Sequence, residues 1–146
     1  SSSMLDYARE QLFEPLGIEL DSWSVDPAGY YDGSSEMRWS PREMAKLGFL
    51  YLNRGRWGEQ QLLPEEWVRA STTVQARYSP FRGYGYMWSV RNVGGHRVFY
   101  AAGYGGQRIY VVPALDLVVV IAANWSNPKH WVLPILAECI LPAIEA

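Results

Sequence analysis

Apolar residues recur at helical spacing near the start of the chain, at Leu5, Ala8, Leu12 and Phe13. Ser3 followed by Asp6 resembles a capping box, so the pattern predicts a helix from Ser3 to about Phe13, ended by Pro15 and Gly17. From Asp21 to Trp39 the periodicity lapses. Asp26-Pro27, Gly29, Asp32-Gly33 and Ser34-Ser35 are turn formers, and the segment reads as a long surface loop. Ser40-Pro41-Arg42-Glu43 then places an N-cap serine, a proline at the first helical position and a glutamate at the third. This is the clearest helix start in the chain. Met44, Leu47, Phe49, Leu50 and Leu52 carry its apolar face until Asn53 and Gly55 stop it. A Trp57-Gly58 turn and a short helix opening at Pro64-Glu65-Glu66-Trp67-Val68 follow.

After about Arg77 the period changes from helical to extended. Tyr84 to Val90 reads as an aromatic-rich extended segment, Gly94-Gly95 as a turn, and Arg97 to Ala101 as a strand. Arg108 to Val112, the Pro113-Ala114-Leu115-Asp116 turn and Leu117 to Ala123 read as a hairpin. Its last strand is apolar on both faces and is therefore expected to be central and covered. Asn127-Pro128 is expected to cap a final helix from about Lys129 to Glu145, interrupted by Pro134. Helices, then an antiparallel meander, then a closing helix define an α+β class. The expectation is one domain over residues 1–146. Residues 1–80 would be mostly helix and loop, and residues 81–146 antiparallel strands with a C-terminal helix packed on them.

Composition narrows the function. The 146 residues carry 13 basic and 15 acidic side chains, a net charge of -2, with no basic stripe to meet a phosphate backbone; nucleic acid is not an expected partner. The longest apolar stretch, Leu115 to Ala123, contains Asp116 and is about half the ~20 residues of a spanning helix, so no membrane span is expected. Ser1-Ser2-Ser3-Met4 leads straight into the amphipathic pattern, without the basic and apolar regions of a signal peptide. A chain of this length buries roughly 68–70% of its unfolded surface. It needs no disulfide to supply a core, and the single Cys139 can make no internal bridge. His96 and His130 stand apart without metal-ligand spacing, and no metal site is expected. Seven tryptophans and ten tyrosines fit either extended aromatic packing or a carbohydrate or peptide cleft.

Gly103-Tyr104-Gly105-Gly106 lacks the strand-to-helix context of dinucleotide binding. Two readings stand side by side: a tight turn, or a strand edge cleared of Cβ atoms so that a ligand can lie against the main chain. Ser126-Asn127-Pro128-Lys129 fits Ser-x-x-Lys and Tyr51-Leu52-Asn53 fits Tyr-x-Asn. With twelve serines and two lysines in the chain, both read as chance matches.

Several longer runs carry more information. Leu5-Asp6-Tyr7-Ala8-Arg9-Glu10, Leu12-Phe13-Glu14-Pro15-Leu16-Gly17-Ile18, Ser40 to Gly48, Leu50 to Gly55, Gly103-Tyr104-Gly105-Gly106-Gln107, and Pro113 with Asp116-Leu117-Val118-Val119-Val120 occur in that order. Together they resemble the downstream part of serine β-lactamase-like hydrolases, the superfamily of penicillin-binding proteins and D-alanyl-D-alanine carboxypeptidases. The closest likeness is to the class C-like branch with esterases and 6-aminohexanoate-dimer hydrolases. The resemblance implies a C-terminal fragment of an acyl-transfer hydrolase for small ester, amide or peptide-like substrates. The nucleophilic Ser-x-x-Lys and the Tyr-x-Asn or Tyr-x-Ser motif would lie upstream of Ser1, so the chain alone would be inactive. It implies no metal and no organic cofactor. The third family motif, Lys-Thr-Gly or His-x-Gly, corresponds to Tyr104-Gly105-Gly106, with tyrosine in place of the cation. Gln107 would then give its main-chain N–H to the oxyanion, Gly105 and Gly106 would clear the approach, and Tyr104 would face the substrate. The implied partners are the missing N-terminal portion of the same domain and, through exposed apolar surface, further copies of the chain. The alternative is a non-catalytic binding or interaction module of the same fold, with Trp23, Trp39, Trp88 and Tyr104 lining an aromatic cleft.

Overall fold

A computed structural model describes residues 3–33, 36–124 and 132–145. The Ser126–Lys129 match, the Asn127-Pro128 cap and His130 lie outside the described residues. The first helix spans residues 4–16 and opens on the expected capping box: Asp6 N–H donates to Ser3 Oγ at 3.1 Å, and Ser3 N–H donates back to the Asp6 carboxylate at 3.1 Å. Pro15 does not end it, contrary to expectation. A π-turn at Arg9–Phe13 widens the preceding coil, which makes room for a ring that would otherwise crowd the carbonyl four residues back. The stop is Gly17, in the left-handed region at φ 58°. The C-terminal helix repeats the device: Val132–Pro134, a π-turn at Ile135–Ile140, then Leu141–Glu145 containing Pro142, and the expected interruption at Pro134 does not occur.

The 21–39 segment is better organised than a plain loop. Strands β1 (Ser22–Trp23) and β2 (Met37–Arg38) pair antiparallel, and the Asp26 carboxylate accepts the main-chain N–H groups of Ala28 and Tyr30 at 2.9 Å each. The Pro41–Leu52 helix follows with its capping box intact. Glu43 N–H donates to Ser40 Oγ, while the Glu43 carboxylate accepts Ser40 N–H at 2.7 Å and Glu19 N–H at 3.0 Å. That carboxylate therefore joins two segments as well as capping one. The Ser40 main-chain N–H, helped by the Ser40 hydroxyl, holds the Glu43 carboxyl below its ordinary value. A lowered carboxylate pKa contributes stability above its unfolded value and loses it as pH falls through the folded one. Ser40→Ala is expected to cost about 1 kcal/mol at neutral pH. The acid side of the stability–pH curve should flatten in Glu43→Gln, as read by urea titrations between pH 3 and 7; an unchanged curve would show that the box contributes nothing there.

A short hairpin of β3 (Arg56–Trp57) and β4 (Gln60–Gln61) and a helix at Glu65–Ser71 lead to the sheet. The sheet is a six-stranded antiparallel meander, β5 (Ala76–Ser79), β6 (Arg82–Tyr84), β7 (Ser89–Val93), β8 (His96–Ala102), β9 (Arg108–Val112) and β10 (Leu117–Ile121), each strand beside the next. The Gly94-Gly95 turn adopts φ 57° and 85°, the left-handed pair that a two-residue hairpin requires. Two expectations change. The Tyr84–Val90 run is not one extended piece: it ends β6, breaks at Met87 (φ 65°) and starts β7, and the β5–β6 hairpin precedes it. β10 is the edge of the sheet among the described residues, not its centre.

The double-faced apolar character of β10 has a different cause. Leu117, Val119 and Ile121 pack with Val98, Tyr100, Tyr110 and Val112 against Leu136 and Leu141 of the C-terminal helix. Val118 and Val120 pack on the opposite face with Phe99, Ile109 and Val111 against Met44, Leu47 and Tyr51. Strand alternation therefore feeds two cores, one on each side of the sheet. The Pro41–Leu52 helix approaches so closely that a Cβ on Gly48 would stand 2.6 Å from Val118 Cγ1. A third cluster, Phe13, Leu16, Ile18 and fully buried Leu50, joins the first helix to the far side of the Pro41–Leu52 helix.

Candidate active site

Between β8 and β9 the chain makes a tight turn, residues 103–107, whose middle is a 3₁₀ turn at Tyr104–Gly106. Gly105 sits at φ 74°, ψ 4° and Gly106 at φ 99°. Consecutive left-handed residues are strained for any side chain with a Cβ, which is why the sequence carries two glycines here. Both are buried, while the Tyr104 side chain next to them is 90% exposed. The turn thus presents an aromatic phenol to solvent over a bare main chain.

Polar groups beneath hold that conformation. Gly103 N–H donates to the Gln107 carbonyl at 3.0 Å. The Arg108 guanidinium reaches back under the turn and donates to the carbonyls of Gly103 at 2.8 Å and Gln107 at 2.6 Å. The Gln107 side chain pairs with the main chain of Ala123 beyond β10, its Nε2 donating to the Ala123 carbonyl and its Oε1 accepting Ala123 N–H at 3.1 Å. One amide side chain thereby extends the β9–β10 ladder past Ile121. Tyr110, beside Arg108 on the face under the C-terminal helix, is 1% exposed. Burial pushes its hydroxyl above the ordinary tyrosine value, against an opposing pull from the Arg108 charge, and the group stays neutral.

Tyr104, Gly105, Gly106 and Gln107 are therefore contiguous in one turn at the sheet's end. Arg108 and the Gln107–Ala123 clamp are what sequence reading missed. The available signal was an arginine opening an otherwise apolar strand directly after Gly-Gly-Gln. The cation closest in sequence to the turn is spent on main-chain carbonyls, so the exposed side offers a phenol where the resemblance would have a lysine or histidine.

The four aromatics of the alternative reading do not form one wall. Trp23 and Trp39 make edge contacts with Phe13 at 6.4 and 5.7 Å, inside the helical cluster. Trp88 is 4% exposed and packs on Tyr51 and Phe99 at 4.5 and 5.2 Å. Tyr104 stands apart from all three clusters in solvent. Tyr51 is core, and Asn53 caps its helix through a 3.0 Å bond to the Phe49 carbonyl, as the chance reading of Tyr51-Leu52-Asn53 expects.

This arrangement, an antiparallel sheet covered by helices on both faces with a glycine turn at one end, is that of β-lactamase and transpeptidase folds. The beta-lactamase family model matches residues 1–134, and the chain belongs to that family. No curated protein sequence matches it. Among solved structures, a provisionally assigned 6-aminohexanoate-dimer hydrolase from Bacillus anthracis aligns over 99% of this chain and 38% of its own, at 21% identity and a TM-score of 0.82. An octameric penicillin-binding protein homologue from Pyrococcus abyssi aligns over 92% of this chain and 37% of its own, at 19% identity and a TM-score of 0.68. A provisionally assigned β-lactamase from Bacteroides dorei DSM 17855 aligns over 94% and 50%, at 14% identity and a TM-score of 0.69. At these identities the likeness is one of fold, and the chain spans half or less of each of these proteins.

Proposed function

We propose that this chain is the C-terminal part of a catalytic domain that hydrolyses small ester, amide or peptide-like substrates by serine acyl transfer. The observation that carries the reading is the 103–107 turn, two buried left-handed glycines held by Arg108 beside a solvent-exposed Tyr104, in a chain of the beta-lactamase family. In this mechanism a serine upstream of Ser1 attacks the substrate carbonyl. A lysine and a tyrosine, also upstream, move the protons, and main-chain amides hold the developing oxyanion. Gln107 supplies one of those amides, Gly105 and Gly106 keep its approach open, and Tyr104 contacts the substrate. Within this reading residues 1–80 are mostly the helix and loop portion, with β5 (Ala76–Ser79) already in the sheet, and residues 81–146 carry the remaining strands of that sheet and the C-terminal helix.

Two facts support a larger whole. The Bacillus anthracis protein is matched over only 38% of its chain. β10 leaves one ladder edge open among the described residues, and an open edge flanked by apolar side chains is a template for another strand. The preceding portion of the same domain is the proposed occupant, and the octameric state of the Pyrococcus abyssi homologue supports self-association as well. The purified chain, incubated with a chromogenic cephalosporin and with p-nitrophenyl esters, should show no turnover, and a version extended upstream through Ser-x-x-Lys and Tyr-x-Asn or Tyr-x-Ser should turn over at least one. Turnover by the chain itself, abolished by Ser126→Ala, would sink this reading and make Ser126 and Lys129 the catalytic pair.

A further inference from the structure

At the other end of the sheet lies a concave surface. β8 runs from His96 to Ala102, so a site at Arg97 and the turn after Ala102 are separated by roughly 17 Å of strand. Around Arg97 an open depression of about 450 Å³ has Val74, Gly83 and Val90 as its floor and Pro80 and Phe81 at its lip.

The ladder register explains which side chains surround it. Arg77 lies opposite Gly83, Gly83 opposite Val90, and Asn92 opposite Arg97. Opposed residues of antiparallel strands share a face, and so do residues two apart on one strand. Arg77, Asn92 and Arg97 therefore rise on the same side as Val90. Val74 packs directly on Gly83, where a Cβ would stand 2.4 Å from Val74 Cγ2, so the floor at that point is the valine side chain. Arg97 is already oriented, its Nη2 donating to the Thr72 carbonyl at 2.6 Å and its guanidinium lying 5.5 Å from the Phe99 ring centroid. Phe81 is 80% exposed.

No aspartate or glutamate is among the described residues that line the depression, although the chain as a whole carries a net charge of -2. Arginines that line one depression without a carboxylate leave its positive charge uncompensated, and an anion held there offsets it. Planar N–H forks suit the oxygens of a carboxylate or phosphate, and a carboxamide adds a neutral donor. Pro80, Phe81 and Val90 supply the apolar walls that favour a ligand with a flat hydrocarbon body over a bare ion.

We propose that this depression binds a small organic oxyanion, a phosphate monoester or carboxylate attached to a flat apolar group, at a site separate from the 103–107 turn. The test is an NMR titration of the isotope-labelled full chain with phenyl phosphate, benzoate, inorganic phosphate and benzyl alcohol. Saturable shifts at Gly83, Asn92 and the Arg77 and Arg97 side-chain resonances are expected with phenyl phosphate, benzoate or both, and the tighter of the two identifies the anion. Arg77→Gln should weaken that binding about tenfold or more, the scale of one charge-assisted contact. Phe81→Ala should weaken the aryl ligands and leave inorganic phosphate unchanged, and Tyr104→Ala should leave all four titrations unchanged. Unaltered melting temperatures show that each variant folds. Absence of saturable shifts, binding indifferent to Arg77→Gln, or equal binding of benzyl alcohol would overturn the proposal. Equal affinity for inorganic phosphate and phenyl phosphate would overturn the apolar half of it. Because Tyr104→Ala and the hydrolase assay read the other end of the sheet, this proposal and the hydrolase reading can fail independently.

Discussion

Gly106→Val is expected to lower kcat by about 10²-fold or more in the catalytically competent protein, the scale of losing one oxyanion donor. Gly106 sits at φ 99°, where a β-branched residue is a steric outlier. Valine must therefore rotate the peptide that joins residue 106 to the Gln107 N–H, and it also fills the approach to that N–H. Backbone geometry is the whole of the proposed contribution, so a variant that moves the backbone removes it. Gln107→Ala tests the other half of the assignment. On sequence grounds its side chain is dispensable, since only the main chain is invoked. The structure gives that side chain a task of its own, as the clamp on Ala123. Gln107→Ala is thus expected to show a smaller fall in kcat than Gly106→Val, accompanied by faster amide exchange at Ala123. Tyr104→Phe should change substrate preference with little effect on folding, because the side chain is in solvent. Steady-state kinetics on the folded fraction decides: if Gly106→Val loses activity only in proportion to lost folded protein, the segment is a structural turn and the oxyanion assignment fails.

Local signals with a single physical cause were readable in the sequence. Ser3 with Asp6 and Ser40 with Glu43 predict helix starts because a hydroxyl three residues before a carboxylate satisfies two orphan donors at once, and both boxes form. Gly94-Gly95 predicts its hairpin because few residues other than glycine tolerate two successive left-handed conformations. The β5–β6 hairpin was illegible for the converse reason: every residue of Ala76–Ser79 is exposed, so no alternation marks it. Pro15 misled because a proline's effect depends on the hydrogen-bond register before it, and the π-turn that absorbs it has no sequence signature. The edge position of β10 was hidden because two helices covering opposite faces produce the same apolar run as burial between neighbouring strands. At the site, the glycines and Tyr104 were legible as a turn or ligand edge. Arg108 was not, since its role depends on carbonyls brought to it by the turn itself.

Gly85→Ala is expected to destabilise the fold by about 3 kcal/mol or more, the upper range of overpacking, although it adds one methyl group. A Cβ at Gly85 would stand 1.9 Å from the Ser71 carbonyl oxygen and 2.8 Å from that of Thr73. Both are main-chain atoms, and neither can swing away as a side chain could. The Ser71 carbonyl is also occupied, accepting Tyr86 N–H at 2.9 Å, and the Ser71 residue is wholly buried at the end of its helix. Moving the strand instead of the helix is no cheaper. Gly85 N–H donates to the Trp88 carbonyl at 2.8 Å, and the Trp88 ring lies in the core between Tyr51 and Phe99. Relief at Gly85 therefore disturbs either the Glu65–Ser71 helix or the second apolar cluster. At a urea dependence of about 2 kcal/mol per molar, the unfolding midpoint should fall by roughly 1.5 M. Gly33→Ala is the control. Among the described residues nothing lies within 4 Å of its Cβ position, its φ is not left-handed, and the substitution should be neutral or stabilise by up to about 1 kcal/mol through the unfolded state. If Gly85→Ala behaved like Gly33→Ala, the close approach of the chain at Gly85 to the end of the Glu65–Ser71 helix would be wrong, and with it the route by which that helix is held against the sheet.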